Sequence, residues 1–302
     1  MRAAIVVFVS AAMWAPAQTP QELTPEQKQQ IDAALPAKAP AKAKKTRRIL
    51  ITSLCKRNND TIRGHPAIPY GSYAIEQMGR KTKAYEVVIS NDVEMFRPDK
   101  LKQFDAVCFN NTQGVLWDDA GLKQSLLDFV NGGHGLIAFH AGGAATFNQY
   151  PKYDFWPEFG KIIGGTDNGG HPWMPTDSFY VKVDDPKNRV NAVFKGQGFQ
   201  LTDEVFQVQE NPLRDHMRVL LSVDMEKTPL PARNVLPVRK ADKDFPLSWI
   251  RAQQKGRVFY SGLGHNPQIF RNAPLLAHFL AGIQYALGDL KADDSPSVKG
   301  SR

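Results

Sequence analysis

Residues 135–147, GLIAFHAGGAATF, begin as an apolar run and change abruptly at His140 to small residues. Such a run is typical of a strand buried on both faces of a parallel sheet. In α/β sheets, ligands bind at the carboxyl ends of the strands. Several hydrolases carry a nucleophilic Ser or Cys on a sharp turn there, whereas neither residue type adjoins His140. The stretch therefore predicts a parallel sheet with a histidine at its ligand-binding edge.

The chain around this stretch alternates short apolar runs with amphipathic stretches. Strands are predicted at 47–54, 85–90, 104–111 and 135–141, and helices at 72–81 and 122–133. Such alternation is typical of βαβ units, which build a parallel sheet with helices on both faces. Further strands without full crossover helices are predicted at 178–185, 203–209, 218–224, 246–252 and 256–266, and a last helix at 274–288. The sequence therefore predicts an α/β fold with additional β-strands in the C-terminal half.

The first residues predict a targeting segment. Residues 1–17, MRAAIVVFVSAAMWAPA, combine an early charge, an apolar run and a small-residue cleavage signature, which together indicate a secretory signal peptide. A membrane anchor is the alternative, but the run is shorter than the ~20 apolar residues that span a bilayer. We therefore expect an exported protein, periplasmic or extracellular.

Composition divides the remainder of the chain into three parts. Residues 18–46 are rich in Ala, Pro, Lys and Gln without periodic apolar positions, which predicts a disordered linker. The folded domain is predicted over residues 47–288. The polar tail 289–302, DLKADDSPSVKGSR, is expected to be flexible.

The positive charge of the chain does not indicate nucleic acid. The net charge is +8, but six of the 38 Lys and Arg residues lie between residues 38 and 48, in and just after the predicted linker. A nucleic-acid-binding domain spreads basic residues over its folded surface with interleaved aromatic residues. We therefore expect no nucleic-acid partner, and no nucleotide cofactor.

Two cysteines, Cys55 and Cys108, leave two alternatives open. In an oxidising compartment they can pair, since both fall near strands expected to be neighbours. Equally, they are two small buried hydrophobic residues, because neither stands in a CxxC motif or beside a base.

Three histidines follow predicted strands at one edge of the sheet. His65 follows the first strand and its loop, His140 ends GLIAFHA, and His265 ends GRVFYSGLGH. His171 lies in GGTDNGGHPW, a glycine-rich stretch predicted to be a loop. Several imidazoles at one edge indicate a functional site.

These histidines suit a divalent metal ion. Imidazoles with one carboxylate are the usual ligands of Zn²⁺ and similar ions. His140, His171 and His265 are therefore candidate metal ligands, although no HExxH or other short-spaced ligand pair occurs. Without a metal, a histidine near its ordinary pKa of ~6.5 acts as a general acid or base. A divalent metal such as zinc is thus a candidate cofactor, with acid–base catalysis as the alternative.

Four separated motifs resemble the ThuA-like (trehalose utilisation) family, in the same order and at similar spacing. They are FHAGGAAT (139–146), WPEFGKIIGGTDNGGHPW (156–173), LTDEVFQ (201–207) and PLSWIRAQQKGRVFYSGLGHN (246–266). The resemblance covers residues 48–288. It implies a flavodoxin-like core related to class I glutamine amidotransferases, without their catalytic cysteine, and a link to sugar metabolism. It also implies that His140 stands close to the nucleophile position of those relatives.

The resemblance implies site residues as well. The family pattern matches His65 in RGHP, His140 in FHA, His171 in GGHP, Glu204 in TDEVF and His265 in LGHN. Of these, His140, Glu204 and His65 are expected to be catalytic. Asp92 in ISND and Asn111 in FNNT match in kind and are candidates for substrate binding.

Aromatic residues near the glycine-rich stretch suggest where a sugar rests. Sugar rings commonly lie on aromatic faces, while amides and carboxylates bind their hydroxyl groups. Trp173 lies outside any periodic pattern and is the candidate platform. A second group is instead interpreted as the apolar face of a helix that packs on the sheet: Tyr153, Phe155, Trp156 and Phe159.

The leading functional hypothesis is an exported enzyme of hydrolase or lyase type that acts on a saccharide or an oxidised (keto) saccharide. Family members beside or fused to sugar dehydrogenases and carbohydrate-binding modules imply the saccharide substrate. The alternative is a non-catalytic sugar-binding or scaffold module with a degenerate amidotransferase-like site. An amidotransferase or protease-like hydrolase is not favoured, because neither cysteine lies at the turn. His278, inside the last predicted helix, is expected to take no part in catalysis.

Overall fold

The computed structural model describes residues 22–58, 60–148, 155–209, 213–231, 238–239 and 241–297. The predicted signal peptide lies outside these residues. Within them, none of the helices combines the length and the apolar character needed to cross a bilayer.

The chain alternates strands and helices as far as the sixth strand and consists mainly of strands from there to the last helix. The strands are β1 (Arg48–Thr52), β2 (Lys56–Arg57), β3 (Asp60–Thr61), β4 (Glu86–Ile89), β5 (Ala106–Asn110), β6 (Gly135–Phe139), β7 (Asp167–Trp173), β8 (Ser178–Val183), β9 (Phe199–Thr202), β10 (Val205–Val208), β11 (Arg218–Val223), β12 (Pro246–Gln253) and β13 (Gly256–Ser261). The helices are α1 (Pro25–Ala34), α2 (Ile68–Thr82), α3 (Pro98–Leu101), α4 (Ala120–Asn131), α5 (Ala141–Ala144), α6 (Pro157–Ile163) and α7 (Ala273–Ala286).

Nine of the described strands form one mixed sheet in the order β4-β1-β5-β6-β13-β12-β11-β8-β9. The first five strands in this order are parallel. Numbered among themselves along the chain, they lie in the order 2-1-3-4-5, which is that of the flavodoxin-like fold. The other four strands continue the sheet in antiparallel fashion. The predicted flavodoxin-like core with additional C-terminal strands is confirmed.

Both faces of the sheet are covered. Successive residues of a strand point to opposite faces, so Ile137 of β6 packs in the core that includes α2 and α7, whereas Leu136 packs in the core that includes α4. All residues of β6 are buried. The continuous apolar run in GLIAF is the sequence signature of this double coverage.

The N-terminal segment is packed against the domain, so the disordered linker predicted for 18–46 is wrong for residues 22–46. Helix α1 contacts α2 and buries Ile31 completely. Further along, the backbone N–H of Ala41 donates to the Gln284 side chain of α7 (3.0 Å), which donates in return to the Ala41 carbonyl (2.7 Å). A few apolar side chains anchor a segment whose average composition is polar.

The flexible tail predicted for 289–302 is likewise wrong for residues up to 297. Arg47 donates to the buried carboxylate of Asp289 at 2.7 Å. The backbone N–H of Ser297 donates to the Met217 carbonyl at 2.9 Å. Hydrogen bonds at both ends therefore hold the described part of the tail to the domain.

The stretch predicted to be a glycine-rich loop contains strand β7, which pairs antiparallel with β10. Asp, Asn and Gly are depleted in strands, so the local sequence does not predict this one. Pairing with β10 determines the conformation, and it places His171 on a strand.

Both cysteines are free and buried. Burial raises the pKa of the Cys55 thiol to about 12, and it raises the pKa of Cys108 well above its usual value. The thiolate is the nucleophilic form, so neither residue is activated. The structure favours the second alternative, two small buried hydrophobic residues.

Candidate functional site

The turn after β6 is a strained strand-to-helix turn. His140 has φ 50° and ψ −121°, and a side-chain-bearing residue in so sparsely populated a region costs about 1–3 kcal/mol. The glycines that follow let α5 approach the sheet: a Cβ on Gly142 would lie 1.9 Å from the Phe109 carbonyl oxygen, and one on Gly143 would lie 2.4 Å from the Tyr260 ring. This arrangement is that of a nucleophile elbow, with His140 in the nucleophile position.

Three hydrogen bonds hold His140 against β13 and the turn after it. Its backbone N–H donates to the Ser261 carbonyl (2.6 Å), and the Tyr260 hydroxyl donates to the His140 carbonyl (3.0 Å). Its ring Nδ1 lies 2.8 Å from the Gly262 carbonyl oxygen. Since a carbonyl only accepts, Nδ1 carries a proton, and Nε2 is left to face the neighbouring side chains.

His140, His265 and Glu204 meet at one point. Nε2 of His140 lies 3.2 Å from Nδ1 of His265 and 3.3 Å from Oε2 of Glu204, and these last two atoms are 3.1 Å apart. His65 joins them, with its ring centre 5.0 Å from that of His140 and 4.8 Å from that of His265. The three rings stand nearly perpendicular to one another. These four residues are called the histidine cluster below.

Glu204 reaches the cluster from the connection between β9 and β10. Its neighbour Asp203 is fully buried, and the Asp203 carboxylate accepts hydrogen bonds from the backbone N–H groups of Gly264 (2.7 Å) and Asn266 (2.9 Å). These two bonds fix the loop that carries His265. Burial raises the pKa of Asp203, although the two backbone donors oppose that shift.

Burial and neighbouring groups shift the pKa of two cluster residues. Burial lowers the pKa of His65 to about 3, and His140 and His265 contribute in the same direction. His65 is therefore neutral near pH 7. Burial alone would raise the pKa of Glu204, but the neighbouring imidazoles of His140 and His265 outweigh burial and hold that pKa well below its usual value. The cluster combines a neutral imidazole with an ionised carboxylate.

His171 lies beside the cluster. Its Nε2 is 3.5 Å from Oδ2 of Asp167. Its ring centre is 5.0 Å from that of Phe206, and Phe206 in turn is 4.4 Å from His140. Burial alone would lower the pKa of His171, but Asp167 and the charge of Glu204 raise it.

The structure redistributes the metal ligands that the sequence suggested. Of the three candidates it brings His140 and His265 together, whereas His171 is outside the set of mutually adjacent ligand atoms. His65 and Glu204, expected to be catalytic, belong to that set instead: one ligand atom from each of the four cluster residues lies within 4.8 Å of the others.

Trp173, the predicted sugar platform, is a core residue. It is only 1 % exposed and packs edge-on against Phe245. The platform prediction is wrong because strand β7 buries a side chain that a loop would expose. Trp156 and Phe159, interpreted as core residues, are buried.

Asp92 and Asn111 both make structural contacts, but Asp92 is exposed whereas Asn111 is buried. Oδ1 of Asp92 accepts from the backbone N–H of Glu94 (3.0 Å) at the start of a short 3₁₀ helix. Asn111 is fully buried, and its Nδ2 donates to the Gly264 carbonyl (3.2 Å) next to His265. Asn111 therefore supports the loop of the cluster, and its burial does not support its assignment to substrate contact. The assignment of Asp92 stays a prediction.

Two residues of the site were not predicted. Asp203 holds the loop of His265, and Phe206 separates His140 from His171. Both lie within two residues of Glu204 in the motif TDEVF, so that motif contained the only signal for them.

A cavity of about 270 Å³ opens beside His65. This volume is roughly the lower end of the range for small-molecule pockets. Its lining includes Gln27, Ser53, Arg63, Tyr70 and Asn91. The packed N-terminal segment thus forms part of the wall of a cavity that reaches the cluster.

The fold and the site define a flavodoxin-like α/β protein whose nucleophile elbow carries a histidine in place of Ser or Cys. A family model described as "Trehalose utilisation" (ThuA) matches residues 54–286. Because this match spans most of the chain, the protein belongs to the ThuA family. The resemblance seen in the sequence motifs is confirmed. No curated protein matches the chain.

Solved structures share the fold. A ThuA-like protein from Bacteroides uniformis has a TM-score of 0.60 and 20% identity, over 80% of this chain and 93% of that chain. A ThuA-like protein from Parabacteroides merdae has a TM-score of 0.53 and 16% identity, over 83% and 93% of the two chains. A cytoplasmic protein from Salmonella typhimurium has a TM-score of 0.51 and 12% identity, over 80% and 98%. At these identities the likeness concerns the fold alone.

Proposed function

We propose that this protein is an exported enzyme that acts on a saccharide or an oxidised (keto) saccharide at the histidine cluster. The observation that carries the proposal is the convergence of three imidazoles and one carboxylate at a nucleophile elbow. The family description, trehalose utilisation, supports a saccharide as the substrate class. The cavity beside His65 has room for a small saccharide.

The cluster can move a proton. In a keto sugar, the hydrogen on the carbon beside the carbonyl is acidic, and an imidazole aligned by a carboxylate removes such a proton. His265 has this alignment, since its Nδ1 is 3.1 Å from Glu204 and its side chain is 22% exposed. Delivery of that proton to the glycosidic oxygen as its bond to carbon breaks gives a lyase reaction, and later addition of water gives net hydrolysis.

The same residues can instead polarise the sugar carbonyl through a bound metal ion. In that chemistry the imidazoles and the carboxylate would hold the ion, which would stabilise the charge that develops on the carbonyl oxygen. Both chemistries place the reaction at the cluster.

A non-catalytic sugar-binding module is the second candidate. One observation favours it: the elbow carries an imidazole where related folds carry a hydroxyl or a thiol nucleophile. Such a module binds a saccharide without changing it.

Turnover of disaccharides by the purified protein tests the proposal. Trehalose and other disaccharides, each with its 3-keto derivative, are incubated with the wild type and with Glu204→Gln and His140→Ala. His216→Ala is the matched control, because His216 is an exposed histidine outside the cluster. We expect turnover by the wild type and the control only. Binding without turnover supports the module, and turnover that survives both cluster substitutions refutes the proposed site.

Export is tested separately. The first 17 residues support cleavage by a signal peptidase. N-terminal sequencing of protein recovered from the periplasm or the medium should begin near residue 18. Recovery of the whole protein in the cytoplasm with residues 1–17 intact contradicts export.

A further inference from the structure

Three ligand atoms of the histidine cluster form a nearly equilateral triangle. Its sides, between His140 Nε2, His265 Nδ1 and Glu204 Oε2, are 3.1, 3.2 and 3.3 Å. In a tetrahedral zinc site with bonds of about 2.0–2.1 Å, two ligand atoms are about 3.3–3.4 Å apart, since the edge of a tetrahedron is about 1.63 times the centre-to-corner distance. The triangle therefore has close to the dimensions of one face of such a site.

The protons on these three side chains cannot supply a hydrogen-bond donor to every edge of the triangle. Nδ1 of His140 carries a proton toward the Gly262 carbonyl, so Nε2 of a neutral His140 presents a lone pair. The ionised Glu204 also only accepts, and Nδ1 of His265 has one proton for two acceptors. The 3.3 Å edge between His140 and Glu204 then joins two acceptors. A cation at the centre satisfies all three atoms, and so would a second proton on His140.

His65 distinguishes these two cases. Its Nδ1 is buried and has no hydrogen-bond partner among the described residues. A further proton on His140 leaves this atom unpaired, whereas a metal ion can take His65 as a fourth ligand, since one ring nitrogen of His65 lies within 4.8 Å of the other three ligand atoms. The near-perpendicular rings of His65, His140 and His265 also let three lone pairs converge on one point without contact between ring faces.

We propose that His140, Glu204, His265 and His65 bind one divalent transition-metal ion of the zinc type. Three imidazole nitrogens with one carboxylate oxygen favour Zn²⁺, Co²⁺ or Ni²⁺ over Mg²⁺ and Ca²⁺, which prefer oxygen ligands. The ion replaces the proton that His265 shares with Glu204, so its binding releases protons. A catalytic role for the ion rests on the proposed function, whereas the prediction that the ion binds does not.

The surroundings of the cluster suit an ion as well. Metal-bound imidazoles usually donate their second N–H to a carbonyl or carboxylate, which fixes ring and tautomer. His140 does so toward Gly262. Asp203 in turn fixes the backbone on both sides of His265.

Titration of chelator-treated protein with Zn²⁺ or Co²⁺ tests the site without any substrate. We expect one equivalent per chain, and for Co²⁺ the visible absorption of a four-coordinate ion. Glu204→Gln, His265→Ala and His65→Ala should each weaken binding by more than the 10–100-fold that is typical of outer-shell changes. His171→Ala is the matched control, because His171 lies next to the cluster yet outside the ligand set, and it should keep the stoichiometry. Thermal unfolding of each variant shows whether it is folded.

The outcomes separate this inference from the proposed function. Absence of stoichiometric binding by the wild type overturns the inference, as does unchanged binding by folded Glu204→Gln and His265→Ala. Loss of the ion from His171→Ala overturns the ligand set. Tight binding of the metal ion without turnover of any saccharide supports the metal site and contradicts the proposed enzymatic function. Saccharide turnover that persists after complete chelation supports the proposed enzyme and shows that its reaction does not need the metal ion.

Discussion

The strained backbone at His140 gives a prediction that distinguishes the effect of backbone strain on stability from the effect of losing the imidazole. Both His140→Ala and His140→Gly remove the imidazole and its hydrogen bond to Gly262, but only glycine adopts φ 50° and ψ −121° without a steric penalty. A residue with a Cβ in so sparsely populated a backbone conformation costs about 1–3 kcal/mol. We therefore expect His140→Gly to be more stable than His140→Ala by about that amount. For a domain of this size, about 1–3 kcal/mol corresponds to a difference in melting temperature of about 2–12 °C.

The neighbouring helix provides the control. Ala144 is equally buried and has negative φ, so Ala144→Gly should destabilise the protein by roughly 0.5–1 kcal/mol, the usual cost of glycine in a helix. Urea denaturation and thermal melts of the three variants measure both differences. If His140→Gly is not more stable than His140→Ala, the turn stores no strain and the elbow interpretation fails. Both variants at 140 should lose the metal ion, whatever their stability.

Two further predictions concern buried residues away from the cluster. Ile31→Ala should lower the free energy of unfolding by about 2–4 kcal/mol, because it truncates a fully buried aliphatic side chain. The control Gln29→Ala changes an exposed residue of the same helix and should have little effect. If urea denaturation shows no loss of stability for Ile31→Ala, the linker interpretation is restored. Burial lowers the pKa of His278 to about 4 in the folded chain. As the pH falls, His278 is therefore protonated below about pH 6.5 in the unfolded chain but only below about pH 4 in the folded chain. Stability should therefore fall as the pH falls through this window, by about 3 kcal/mol in total. The non-titrating variant His278→Gln should lose this part of the pH dependence in denaturation curves, and an unchanged slope contradicts the buried neutral imidazole.

The parallel core could be predicted because its sequence signal is local. Strands such as β5 and β6 are buried on both faces and read as continuous apolar runs, and the helices between them carry one apolar face. The packed N-terminal segment was missed although it contains a local signal, a capping box between Thr24 and Gln27 at the start of α1. The averaged polar composition of the segment hid the few apolar residues that anchor it.

Strand β7 and the fate of Trp173 could not be predicted in the same way. The residues DNGGHPW have low strand propensity, and β7 exists because β10 pairs with it. This pairing decides which side chains are buried. A prediction that depends on a partner far along the chain therefore fails when it is made from local pattern alone.

The histidine cluster could be predicted only in part. The order of the parallel strands suffices to bring His140 and His265 together, because β6 and β13 are adjacent and end at the same edge. Glu204 and Asp203 come from the antiparallel extension, and nothing in the parallel core specifies their position. Asp203 nevertheless fixes the loop of His265, and Glu204 supplies the one carboxylate of the cluster. The extension is therefore part of the site, and a flavodoxin-like core without it would hold imidazoles but lack both the charge and the loop geometry that make them a site.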